Sequence, residues 1–72
     1  MNVSTKFNVG ETVATVDKET MKIIEQPISM ISVFIFHEKV RISYMLEDSK
    51  GSYEEDLCFV SKEQLVNYML SR

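Results

Sequence analysis

The sequence predicts a small, mainly β domain of about five antiparallel strands that is closed by one short C-terminal helix. Apolar and β-branched residues alternate along most of the chain, which is typical of strands. Short polar segments of turn length interrupt this alternation. Residues 61–71 are the one segment with helical spacing of apolar residues.

The chain has 72 residues and no internal repeat, which is enough for one hydrophobic core. Its composition, 44% hydrophobic and 26% charged, is typical of a folded protein. We therefore expect a flexible leader over residues 1–6 and a single domain over residues 7–72. A core this small is only marginally stable, so a partner would add stability.

The sequence of the first half of the domain indicates a turn and two apolar segments. Residues 6–16 have apolar side chains two and four apart, and Gly10 can supply a positive φ for a turn before strand one. A polar loop over residues 17–20 leads to an apolar segment over residues 21–25. Pro27 cannot donate a ladder hydrogen bond, so we expect it at a strand start, a bulge or an edge.

Residues 28–36 predict a strand that is apolar on both faces. The two faces consist of Ile31, Val33 and Ile35 on one side and of Met30, Phe34 and Phe36 on the other. A buried helix is the alternative, but β-branched and aromatic residues favour the strand. Such a strand needs cover on both faces, from the barrel interior, the helix or a second copy of the chain.

A hairpin and a brief strand follow. Residues 37–39 form a polar interruption of turn length, and residues 40–46 alternate cleanly. The side chains expected to face inward are those of Val40, Ile42, Tyr44 and Leu46. The turn over residues 47–52 leads to a short strand near Tyr53 that is expected to extend towards Leu57 and Phe59.

The C-terminal helix has a start signal at Ser61. Ser61 and Gln64 have the spacing of a capping box, in which each side chain satisfies an unpaired backbone N–H. The apolar stripe that follows consists of Leu65, Val66, Tyr68, Met69 and Leu70. A helix this short is not stable alone, so it must dock on the sheet.

Three motifs carry a resemblance to a known family. They are Phe7-x-Val9-Gly10-Glu11-x-Val13, a middle strand pair that ends in Tyr44, and the segment from Tyr53 to Leu65. The chain resembles the small SH3-like β-barrel proteins of bacterial and phage genomes. This resemblance implies an SH3-like barrel with a C-terminal helix, in an accessory protein of a phage or mobile element. The acidic composition and the absence of Trp differ from RNA-binding KOW modules and from peptide-binding SH3 domains.

Charge and cysteine content narrow the function classes. The formal net charge of −3 argues against general attraction to nucleic acid and favours basic partners. A single cysteine, Cys58, excludes an intrachain disulfide and a cysteine-based zinc site, which favours a reducing, cytoplasmic setting. The longest apolar run, residues 33–36, is too short to cross a bilayer, so we expect neither membrane insertion nor export.

The chain offers little catalytic chemistry. Cys58 and His37 form the one available Cys/His pair. Cys58 is better explained as a small core residue, and His37 as a solvated turn residue. We therefore expect no catalytic residue, no cofactor, no metal site and no enzymatic activity.

Two clusters are candidates for binding. The first is acidic and consists of Glu47, Asp48, Glu54, Glu55 and Asp56. Its spacing does not match a calcium loop, which leaves a solvated turn, another cation site or a docking surface for a basic protein. The second is aromatic and consists of Phe34, Phe36, Tyr44 and Tyr53. We expect Tyr44 in the core, while helix docking, a protein interface and base stacking stay open for the others.

The leading hypothesis is a non-enzymatic protein-interaction module that acts through an acidic rim and an aromatic strand face, with a homodimer as one form. Its expected partner-binding residues are Phe34, Phe36, Glu47, Asp48, Glu54 and Glu55. One alternative is a nucleic-acid-associated SH3-like or KOW-like barrel, for which the basic residues are Lys22, Lys39, Arg41 and Lys50. A second alternative is an acidic inhibitor that mimics nucleic acid.

Overall fold

A computed structural model of the chain describes residues 3–71, in which four antiparallel strands form one curled sheet in the order β1-β2-β3-β4. The elements are β1 (Thr12–Val16), β2 (Ile23–Phe36), β3 (Lys39–Leu46), β4 (Tyr53–Glu54), a 3₁₀ turn (Glu55–Leu57) and the helix α1 (Lys62–Leu70). The prediction of a mainly β domain with one short C-terminal helix is confirmed. Within residues 3–71, no helix has the length and apolar character needed to cross a membrane.

Strand β2 is one continuous strand of 14 residues, where the sequence suggested two apolar segments around Pro27. Residues 23–27 pair with β1, and residues 28–36 pair with β3. Pro27 lies opposite Thr12 at the end of the β1 ladder, close to a bulge between Ile28 and Met30. A residue without an N–H is tolerated at this position because the ladder is already irregular there.

The sheet has four strands rather than about five, because the two apolar segments around Pro27 form the single strand β2. The last strand, expected from Tyr53 towards Phe59, is the short β4, and Phe59 itself makes a single bridge with Ala14. Each residue donates its N–H to the other's carbonyl, at N···O distances of 2.8 and 2.9 Å. The 3₁₀ turn replaces the expected extension of β4, and the Thr15 hydroxyl donates to the Leu57 carbonyl at 2.7 Å. These contacts bring the segment after β4 back to the free edge of β1 and curl the sheet into a half-barrel.

The core lies where β1, β2 and β3 overlap. Its buried members are Phe7, Val13, Ile28, Tyr44, Leu46, Tyr53 and Cys58. Tyr44 and Leu46 face inward as predicted, whereas Ile42 is half-buried and Val40 is 42% exposed. The prediction that Val40 faces inward is wrong. Val40 is exposed because this end of β3 extends beyond β4, which pairs with Ser43 and Tyr44.

Helix α1 begins as predicted. The Gln64 backbone N–H donates to the Ser61 hydroxyl at 3.2 Å, which confirms Ser61 as the N-cap. Leu65 is the buried residue of the helix, and the Tyr68 ring lies 5.1 Å from that of Phe59. The helix docks on β1 and β2, and Phe34 and Phe36 remain exposed. It therefore leaves a large part of the apolar strand uncovered.

The N-terminal segment contacts the 3₁₀ turn. The Lys6 backbone N–H donates to a Glu55 carboxylate oxygen at 2.9 Å, and the Thr5 hydroxyl donates to the Phe7 carbonyl. Residues 1 and 2 of the expected leader lie outside the described residues. The flexible leader over residues 1–6 stays a prediction.

Candidate functional site

The free end of the β2–β3 hairpin is the most distinctive surface of the domain. We call it the arm and define it as residues 30–36 of β2, the turn His37–Glu38 and residues 39–42 of β3. Strand β1 pairs with residues 23–27, and β4 pairs with Ser43 and Tyr44. Within residues 3–71, the arm is therefore a two-stranded ribbon without a further β partner.

The turn at the tip of the arm keeps the two strands aligned. His37 and Glu38 both have positive φ, 48° and 65°, which is the backbone of a two-residue type I′ turn. The twist of this turn matches that of the flanking strands. Residues other than Gly and Asn adopt this backbone at a cost, and the Phe36 ring packs edge-on against the His37 ring at 4.3 Å.

Apolar side chains of the arm are exposed on both of its faces. Six of them are between 41% and 71% exposed, namely Met30, Val33, Phe34, Ile35, Phe36 and Val40. Single exposed apolar residues are normal on protein surfaces, but a contiguous set of this size marks an interaction site or an aggregation hazard. The arm is thus the part of the domain at which burial by a partner would add most stability.

One face of the arm combines aromatic rings with positive charges. In the β2–β3 register, Phe34 lies opposite Arg41 and Phe36 lies opposite Lys39. These residues line a groove of about 780 Å³ together with Lys18, Ser52 and Glu54. The Arg41 guanidinium is 3.6 Å from the Glu54 carboxylate, and both side chains are largely exposed.

The opposite face continues the apolar row of the core. Tyr44 is paired with Ile31 in the buried region, and the next pairs along this face are Val33 with Ile42 and Ile35 with Val40. Exposure increases along this row as it leaves the core. The arm is therefore an extension of the core face into solvent.

The structure divides the predicted partner-binding residues into separate groups. Phe34, Phe36 and Glu54 line the same groove. Glu47 and Asp48 follow the other end of β3, about 20 Å along the strand from Arg41 at the usual rise per residue. The Asp48 backbone N–H donates to the Gln26 side chain, which anchors this turn. Of the expected acidic rim, Glu54 thus lies at the aromatic face, whereas Glu47 and Asp48 form a separate surface.

Glu55 is half-buried and belongs to a hydrogen-bond network that reaches into the core. Its carboxylate accepts a hydrogen bond from the Tyr44 hydroxyl at 2.6 Å and one from the Lys6 backbone N–H. The Tyr44 oxygen in turn accepts from the Phe7 N–H at 3.3 Å, and the two rings meet edge-on. Burial and the hydrogen bond to Glu55 raise the pKa of Tyr44 to about 12.

Cys58 and His37 lie in different environments. Cys58 is a core residue, and burial raises the pKa of its thiol to about 11, which makes it a poor nucleophile. His37 is exposed at the tip of the arm. Between residues 3 and 71, no group of three or more His, Cys, Asp and Glu side chains could hold a metal ion.

Lys39 and Arg41 are site residues that the sequence reasoning did not connect with the aromatics. The sequence contains the information needed to pair these residues, because a two-residue turn at residues 37 and 38 determines which residues of β3 lie opposite Phe34 and Phe36. The groove also takes in Lys18 and Ser52, which no local pattern places near the arm.

A second apolar concavity of about 420 Å³ lies between α1 and the end of β1. Its border includes Tyr53, Leu57, Phe59 and Met69. It is the seam at which a short helix docks on the sheet. The docking of the helix therefore accounts for this concavity, and no ligand is needed to explain it.

Comparison of the chain with protein-family models, with curated proteins and with solved structures found no match. The candidate site therefore rests on the geometry of the arm and the chemistry of its side chains.

Replacing Tyr44 by Phe removes the hydroxyl that links Phe7 to Glu55. We expect the free energy of unfolding at pH 7 to fall by about 1–3 kcal/mol, since the buried Phe7 N–H and the half-buried Glu55 carboxylate both lose a hydrogen-bond partner. The pKa of Tyr44 is about 12 when folded and its ordinary value is 10.0, so its contribution is complete below pH 10 and disappears as the pH rises towards 12.

The difference in stability between the native chain and Tyr44→Phe should therefore shrink between pH 10 and pH 12 in urea unfolding curves. Cys58 is present in both chains, so its own alkaline titration cancels. Tyr53→Phe makes the same chemical change at the residue paired with Tyr44 and serves as the control. A constant difference between the native chain and Tyr44→Phe across this pH range would show that the hydroxyl does not sit in this network.

Proposed function

We propose that this chain is a non-enzymatic protein-interaction module and that the arm is its binding element. The observation that carries the proposal is the set of exposed apolar side chains on a two-stranded ribbon beyond the core. Phe34 and Phe36 serve as the anchors, because aromatic side chains bury the most area when a partner removes them from water.

The structure of the arm supports binding in two ways. Its type I′ turn and its β2–β3 ladder hold the side chains in place before a partner arrives, which reduces the entropy lost on association. Glu54 and Arg41 at its border provide charges that select and orient the partner. Glu47 and Asp48 form a separate acidic rim that takes part when a partner is large enough to reach it.

We also propose that the domain is a small SH3-like barrel, as its sequence resemblance implies. The bridge between Ala14 and Phe59 supports this because it joins the segment after β4 to the free edge of β1. The shared use of β2 by β1 and β3 gives further support.

A single-stranded nucleic acid is the second candidate partner. It is favoured by the placement of Lys39 and Arg41 opposite Phe36 and Phe34, since stacking rings beside cations are typical of such sites. The net charge of −3 and the ion pair between Arg41 and Glu54 favour a protein instead.

The double variant Phe34→Ser and Phe36→Ser tests the role of the arm. A tagged native chain is expected to capture protein from a lysate of its source cell, or to retain a differently tagged second copy. The double variant should lose at least about nine tenths of the captured material, because each lost aromatic anchor costs on the order of 1–2 kcal/mol.

Leu70→Ser is the matched control, since Leu70 is 78% exposed but lies at the end of α1. This control should capture as much as the native chain. Equal capture by the native chain and the double variant would place binding elsewhere and contradict the proposal. Circular dichroism confirms that each variant is folded.

Fluorescence anisotropy with labelled single-stranded oligonucleotides separates the two candidate partners. At about 150 mM salt we expect no saturable binding at micromolar protein, because too few phosphate contacts are available to offset the repulsion. Tight binding that weakens steeply with salt and is lost in Lys39→Ser would promote the nucleic-acid candidate over the protein partner.

A further inference from the structure

We propose that the partner of the arm is a second copy of this chain, which pairs antiparallel along the outer edge of β2. This inference rests on the proposed function and names the occupant of the arm. The pairing joins two arms into one four-stranded sheet around a twofold axis, which is the commonest symmetry of homo-oligomers.

The backbone of the arm presents three residues to the outer edge. Phe36 and Lys39 flank a two-residue turn, so they exchange hydrogen bonds with each other. Such pairs alternate along an antiparallel ladder, and the intervening residues of β2 direct their N–H and C=O groups away from β3. On the arm these residues are Ile31, Val33 and Ile35.

The charges of the arm select the β2 edge over the β3 edge for a symmetric contact. Residues 28–36 contain no charged side chain, whereas β3 has Lys39 and Arg41 on the arm. Two β3 edges that paired around a twofold axis would bring these like charges together, which is destabilising. Natural proteins protect free edges with charges, and the β2 edge has no such protection.

A twofold axis at Val33 gives the register that brings all three outward residues of both copies into pairs. With the axis at Val33, this residue pairs with the partner's Val33, and Ile31 pairs with the partner's Ile35. These pairs form about six hydrogen bonds between the copies. In the same register, Phe36 lies beside the partner's Met30, which gives its ring a favourable contact with sulfur.

The exposed area matches the requirement of a small dimer. Six side chains that are 41–71% exposed leave on the order of 500 Å² of apolar surface on each arm. Pairing removes part of this area from both copies together with the unpaired backbone groups, and the total approaches about 1,000 Å², the lower limit for a specific interface. A weak, concentration-dependent dimer follows.

Cysteine cross-linking tests the register in the full chain. Val33→Cys places two sulfur atoms across the axis, at a Cα separation of about 5.5 Å that a disulfide can span. Under mild oxidation we expect most of this variant to become a covalent dimer. The native Cys58 remains reduced because it is buried and its pKa is raised.

Phe36→Cys is the matched control. Phe36 is 71% exposed and Val33 only 41%, so random collisions would cross-link the variant at position 36 faster. In the proposed register the two copies of residue 36 are about 20 Å apart, and this variant should stay monomeric on a denaturing gel. Equal or faster cross-linking of Phe36→Cys would overturn the proposal.

Sedimentation equilibrium measures the same contact without cross-linking. The native chain is expected to pass from monomer to dimer over micromolar to millimolar concentrations. Ile35→Pro removes one outward N–H and leaves the β2–β3 ladder intact, so it should raise the dissociation constant at least about tenfold. Val40→Thr changes the cross-strand partner of Ile35 on the same face and should have a smaller effect.

The outcomes separate this inference from the proposed function. A native chain that stays monomeric, with no preferred cross-link at position 33, overturns the second-copy proposal. If the arm still captures another protein, the proposed function stands without it. Binding of a single-stranded oligonucleotide by a chain that remains monomeric contradicts both.

Discussion

The Tyr44 side chain joins three segments that are far apart in the sequence. Its ring is fully buried at the centre of the core, and its hydroxyl contacts both Phe7 and Glu55. The N-terminal segment, β3 and the 3₁₀ turn therefore meet at one point. The Glu55 end of this network also holds the turn that leads to the bridge between Phe59 and Ala14. The curl of the sheet depends on this arrangement.

The arm is a consequence of the same constraint. Strand β4 is only two residues long and pairs with Ser43 and Tyr44, and β1 ends its pairing at Pro27. The covered part of the sheet is therefore centred on Tyr44. Residues 28–36 continue as a strand because β-branched and aromatic side chains favour extended backbone whether or not a neighbour covers them. A long apolar strand in a small closed core must project from it.

Several features could be predicted from the sequence because each depends on residues a few positions apart. Ser61 caps the helix through a hydrogen bond to a residue three positions away. The hairpin after Phe36 follows from a short polar interruption between two alternating segments. Tyr44 was correctly placed in the core because alternation along β3 holds in its buried half.

Other features depend on contacts between distant residues. Alternation of apolar residues along β3 predicted that Val40 faces inward. No local pattern in the sequence shows where β4, which covers the edge of β3, ends. The 3₁₀ turn replaced an expected strand because Glu55 is held by Tyr44 and Lys6, and Lys6 is 49 positions away in the sequence. For the candidate site, the exposure of Phe34 and Phe36 follows from the extent of β1 and β4, which the sequence pattern does not contain.

Amide hydrogen exchange measured by NMR at two protein concentrations tests the central claim most directly. At low concentration the amides of residues 31, 33 and 35 should exchange fast, whereas those of residues 32, 34 and 36 are protected by the ladder to β3. At millimolar concentration the first set should become protected too, since a second copy covers the β2 edge. Exchange of residues 31, 33 and 35 that does not depend on concentration would contradict this account of the arm.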